Sequence, residues 1–178
     1  MGTASVDDLN DISLAFLAAS IDALNKTPEG APERAFVSPG EPAMDCCPQL
    51  SVHTQLLHEV DVRTRTSAGA LGAAKQIIRG GAITVTLSIM VIRCVPGNEE
   101  KAGRIIAPPP EKLQAAAALI DSDGWALWLG LTYALKHGDL KDTCSGAERL
   151  GGTKLTPQGG CGGWVFQYRV PIEGGILS

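Results

Sequence analysis

The sequence predicts an α+β fold: a mainly antiparallel sheet of about four strands with two helices packed on one face, and long loops and arms. Three observations predict it. Apolar residues recur at three- and four-residue steps in two stretches, 9–24 and 113–135. They alternate with polar residues in three others, near 49–56, 83–92 and 164–170. The order is helix, strand, insertion, strand, helix, strand, and nothing repeats internally. The expected organisation is a single domain over 1–178, with a proline-rich arm at 27–45 and an inserted loop at 61–81.

The first helix follows Asp7 and Asp8, whose charges suit the positive end of a helix dipole. Leu9, Ile12 and Phe16 make one stripe, with Leu14, Leu17, Ile21 and Leu24 beside it. The helix is expected to end near Asn25, before Pro28. Residues 27–45 hold four prolines and two glycines, so they read as a loop or extended arm and not as a core element.

In the first strand Leu50, Val52, Thr54 and Leu56 face one way, and Gln49, Ser51, His53 and Gln55 the other. This predicts a half-buried strand with His53 on its wet face. The parity changes at Leu57, where a bulge or bend is expected. Residues 61–81 are locally basic, with Arg63, Arg65, Lys75 and Arg79 against Asp61. Leu71–Ile78 has room for two helical turns, closed by Gly80-Gly81. One reading is an ordinary solvated insertion; the other is a projecting loop that touches a partner or DNA. Ile83, Val85, Leu87, Ile89 and Val91 then share one face of a second strand that is apolar on both faces in its second half, as a central strand should be. It stops at Pro96-Gly97.

The main helix spans about Pro110 to Lys136, with a proline well placed at its first position. Leu113, Ala116, Ala117, Ile120, Leu127, Leu131 and Leu135 form the expected inward stripe. Asp121 and Asp123 read as a helix interruption or solvated turn. Trp125 falls on the polar side, and Trp128 and Leu129 widen the apolar surface beyond what one sheet covers. Two readings of Trp125 follow: a contact surface, or a phase shift at Gly124 that buries the ring. Residues 139–160 read mostly as loop, with a short strand near Gly152–Thr156. Gly159–Gly163 reads as a glycine-rich turn between strands. In the last strand Trp164, Phe166, Tyr168 and Val170 share a face, and Pro171 ends it.

Composition narrows the function. The 178 residues carry 15 basic and 19 acidic side chains, a net charge of −4, so the chain as a whole has no basic nucleic-acid footprint. Hydrophobic residues make up 44% and charged residues 19%, a balance that builds a core and argues against disorder. Aromatics are scarce at 4%, whereas there are 21 Gly and 11 Pro. A neutral, partly apolar surface is therefore expected. Met1–Asn10 lacks the basic start of a signal peptide, and no apolar run reads as a membrane span, so the expected compartment is the cytoplasm.

Catalytic and metal signatures are absent from the sequence. Cys46, Cys47, Cys94, Cys144 and Cys161 contain no C-x-x-C pair, and His53, His58 and His137 have no zinc spacing. The cysteines read as small buried apolar residues, Cys94 above all because it ends an apolar strand. Gly69–Lys75 lacks the spacing and hydroxyl of a phosphate loop. No enzyme activity and no cofactor is expected.

Three stretches taken together carry a resemblance: Asp45–Val52 (DCCPQLSV), Met90–Pro96 (MVIRCVP) with Pro108–Ala117 (PPPEKLQAAA), and Pro157–Trp164 (PQGGCGGW). The chain resembles a family of tail terminator proteins from the neck of long-tailed bacteriophages that infect actinobacteria, over about Asp45 to Ile172. The resemblance implies a structural virion protein of α+β fold. It implies a homo-oligomeric ring, a hexamer, that caps the tail-tube protein and joins the head–tail connector or stopper. Genomic DNA would pass through its lumen without sequence-specific binding, and an acidic subunit suits a channel in which DNA must not stick. Its place is the virion, after assembly in the host cytoplasm. The candidate interface residues are Trp125, Trp128, Arg63, Arg65, Lys75 and Arg79. The alternatives are another head–tail joining protein (a stopper or tail-completion protein) and a small cytosolic enzyme or ligand-binding module. The long second helix argues against a β-barrel stopper, and the lack of a convergent polar cluster argues against an enzyme.

Overall fold

The computed structural model describes residues 6–44, 48–60, 82–101 and 103–172. In chain order the elements are helix α1 (Val6–Leu24), strands β1 (Ala35–Ser38), β2 (Gln49–Val60), β3 (Ala82–Cys94), β4 (Glu99–Lys101) and β5 (Arg104–Ile106), helices α2 (Pro110–His137) and α3 (Leu140–Thr143), and strands β6 (Glu148–Gln158) and β7 (Cys161–Ile172). Five strands form one sheet in the order β1-β2-β3-β7-β6, and β4 and β5 form a separate hairpin. Every pairing is antiparallel except β1 with β2. The α+β class is the one expected, with one more strand in the main sheet.

The register explains where the core lies. It sets Val52 opposite Ile89, and Leu87 opposite Tyr168, so the apolar halves of three strands fall on one face. Against that face pack Phe16 and Leu24 of α1 and Leu127 and Leu131 of α2, all fully buried. Each such side chain contributes on the order of 1.5–3 kcal/mol by leaving water. Helix α1 lies over β1 and β2, and α2 lies beside it over β3 and β7. Ser13 and Ser20, buried within α1, donate to the carbonyls of Leu9 and Phe16 one turn back, so they carry no unmet polarity into the interface.

The other face of the sheet holds a small apolar cluster, Met90, Ile92 and Cys161, with Met44 and Val165 against it. Beside it Ser51, His53 and Ser88 are buried. His53 is on the predicted face but is only 2% exposed, not wet. The expected bulge falls between Thr54 and Leu56, just before Leu57.

Several elements depart from expectation. The arm at 27–45 contributes β1, a parallel edge strand, because Ala35–Ser38 can borrow the free edge of β2. Strand β6 is eleven residues long where a short strand near 152–156 is expected; its glycines and threonines hide the alternation, and pairing with β7 supplies the order. The turn at Gly159–Gly160 does join β6 to β7. Both residues have positive φ, 57° and 79°, the geometry of a two-residue hairpin turn that glycine adopts without strain. Strand β7 runs one residue past Pro171. Cys94 is exposed, not buried, whereas Cys161 is disulfide-bonded. Cys144 is the buried cysteine that behaves as an apolar residue, and burial pushes its thiol up to about 11.

Leu113 is 41% exposed, contrary to its place in the predicted inward stripe, and Ala117 is exposed as well. The reason is that α2 begins before it reaches the sheet: its buried residues start at Ile120. The β4–β5 hairpin also stands off the body and packs on no other helix or strand among the described residues.

Candidate assembly surface on the second helix

Helix α2 runs unbroken through Asp121-Ser122-Asp123-Gly124, which corrects the expected interruption. Two tertiary contacts hold it together there. Asp123, fully buried, accepts from Arg93 of β3, with Nε–Oδ2 at 2.6 Å and Nη2–Oδ1 at 3.3 Å. The same guanidinium also donates to the carbonyl of Gly30, after α1. A bidentate pair with a third acceptor satisfies the cation, which burial alone would penalise. At Gly124 the missing side chain admits the indole of Trp164: a Cβ there would lie 2.4 Å from Nε1.

These contacts set the phase of the helix. Ile120, Asp123, Gly124, Leu127 and Leu131 turn inward. Trp125, Leu129 and Tyr133, spaced four apart, therefore share the outer face, with 65%, 58% and 64% of their surfaces exposed. Of the two readings of Trp125, the exposed one holds. Trp128 sits on the flank, half-buried. The guanidinium of Arg149 lies over its ring, and Arg149 Nη1 donates to Thr132 Oγ1 at 2.8 Å and to the Trp128 carbonyl at 3.3 Å.

Between this flank and strands β6 and β7 lies a groove of about 500 Å³. Trp125, Trp128, Trp164 and Phe166 line it, with Gly124 and Gly152. Trp164 and Phe166 stack at 5.8 Å between ring centroids, and Trp128 meets Phe166 at 6.4 Å. Gly152 keeps the floor open, since a Cβ there would run into the Phe166 ring at 2.5 Å. At the rim Asp121 pairs with Lys154. Both side chains are largely exposed, so the pair adds little stability.

This surface is built to bury apolar area. Its two rim charges neutralise each other, and the described residues contain no group of His, Cys, Asp and Glu that could hold a metal. Titratable groups with shifted pKa values lie elsewhere. Burial lowers His53 on the far face of the sheet, with Glu41 partly offsetting it. Burial also raises Tyr168 in the core, and the charge of Arg149 offsets part of that shift.

The structure thus brings Trp125 and Trp128 together, as two of the six candidate residues. Arg63, Arg65, Lys75 and Arg79 lie outside the described residues. The spacing of Trp125, Leu129 and Tyr133 was readable as one stripe; the share of Trp164, Phe166 and Arg149 was not, because it depends on how α2 sits over β7. No protein-family model and no curated protein matches the chain.

Proposed function

We propose that the chain is a structural assembly protein of the bacteriophage neck, a tail terminator that forms a ring, caps the tail tube and joins it to the head connector. One observation carries this reading: an exposed stripe of Trp125, Leu129 and Tyr133 runs along α2 and borders an aromatic groove. Large exposed aromatics beside an apolar groove characterise protein–protein contact surfaces. A ring subunit needs two such surfaces, one for each neighbour. The resemblance of the three sequence stretches supplies the biological setting, and the acidic balance suits a lumen through which DNA slides.

The test is size-exclusion chromatography with light scattering, followed by negative-stain imaging, with the protein alone and with purified tail tubes. Rings of about six subunits, alone or on tube ends, support the reading. A chain that stays monomeric and never binds tubes overturns it.

A further inference from the structure

We propose that the β4–β5 hairpin of one copy seats Ile105 in the aromatic groove of a second copy. This rests on the assembly reading above and names its contact. The argument begins with the hairpin. A two-stranded hairpin alone is at best marginally stable in water, and this one packs on no other element among the described residues. Ile105 is 78% exposed, the most exposed large apolar side chain of the described residues. The register places Glu100 directly across from Ile105, on the same face, and puts Glu99, Ile106, Lys101 and Arg104 on the other. One face of the arm is therefore an aliphatic side chain with an acid beside it.

The groove has the complementary chemistry. Its walls are aromatic, and it opens toward solvent. Arg149 lies behind the groove's lining, over the ring of Trp128, and donates to neutral oxygens, among them those of Thr132 and the Trp128 backbone. Its charge has no acidic partner among the described residues, and the Glu100 carboxylate is of the sign that fits it. The arm packs on none of α2, β6 and β7, the elements that form its own groove. Along the chain the exposed first turns of α2, from Pro110, lie between them. Arm and groove are different surfaces of one subunit, so the contact can repeat head to tail from copy to copy, as closure into a ring requires.

Two single variants and their mixture test it by light scattering. Ile105→Glu replaces the apolar side chain of the arm with a charge and cannot disturb a core it does not touch. Trp125→Glu spoils the groove at an exposed position. Each alone should weaken self-association about tenfold or more, the loss expected from one buried isoleucine or a comparable contact. Mixed in equal amounts, they should recover one good contact and form dimers only, the intact arm of one in the intact groove of the other. Rings from Ile105→Glu indistinguishable from wild type, alone or on tail tubes, overturn the arm-in-groove contact and leave the neck reading standing. A mixture that stays monomeric also overturns it, and should Trp125→Glu lose its circular dichroism signal, Ile105→Glu decides alone. Wild type that is monomeric alone and on tubes overturns both proposals.

Discussion

The indole of Trp164 lies against the backbone of Gly124, so close that a methyl group on Gly124 would sit 2.4 Å from Nε1, 2.6 Å from Cε2 and 2.8 Å from Cδ1. Two opposing effects meet at this residue. Alanine is favoured over glycine within a helix by about 1 kcal/mol, whereas forcing a methyl into a packed contact costs about 1–3 kcal/mol. The second should win. Gly124→Ala is expected to lower the urea midpoint and to change tryptophan emission, as Trp164 leaves its seat. A variant more stable than wild type would show that the ring moves aside freely.

The Arg93–Asp123 pair supplies the largest expected single-site effect. Asp123→Ala leaves a buried guanidinium without its counter-charge, a loss of about 3–5 kcal/mol. Asp121→Ala, two residues away, breaks only an exposed pair with Lys154 and should change stability by about 1 kcal/mol or less. Urea unfolding of the two variants side by side measures the contrast. Replacing both partners, Arg93→Met with Asp123→Leu, should recover much of the loss, because it removes the buried charge along with its partner.

Trp125→Ala should separate assembly from folding. The ring is 65% exposed, so the variant should melt within a few degrees of wild type while its oligomer dissociates. Light scattering and thermal melts on the same sample read both quantities. Loss of the melting transition itself would assign Trp125 to the core.

His53 gives a pH dependence of defined sign. Burial lowers its pKa below the ordinary 6.5, and neither ring nitrogen has a hydrogen-bond partner among the described residues. The unfolded chain therefore takes up this proton before the folded one does. Its contribution to stability is full above pH 6.5 and is lost as pH falls from there through the lower folded value. In His53→Leu that part of the acid dependence should vanish. Urea midpoints at several pH values between neutral and mildly acidic check it; parallel curves for the two proteins would refute it.

The elements that carry their own periodicity were legible in the sequence. Both long helices and strands β2, β3 and β7 follow from spacing alone, as does the turn at Gly159–Gly160. What was missed depends on partners. Ala35–Ser38 becomes a strand only because β2 offers an edge, and β6 only because β7 does. Asp123 looked like a solvated turn because its partner, Arg93, is thirty residues away. The site was half legible for the same reason. Trp125 and Trp128 stood out on the helix, but the groove exists only where α2 crosses Trp164 and Phe166. His53 had the right face and the wrong exposure, since alternation says which way a side chain points and not what covers it.

The clasp of Arg93, Asp123 and Gly30 has a mechanical consequence. Beside the apolar packing of Ile120, Leu127 and Leu131, it ties α2 by charge to the sheet and to the segment after α1, about 20 Å along the helix at 1.5 Å per residue. The turns of α2 before Ile120 are exposed and extend from that anchor, and the β4–β5 hairpin precedes them in the chain. A load on those turns is borne by charge-assisted hydrogen bonds together with the packing of Ile120 and of Gly124 against Trp164.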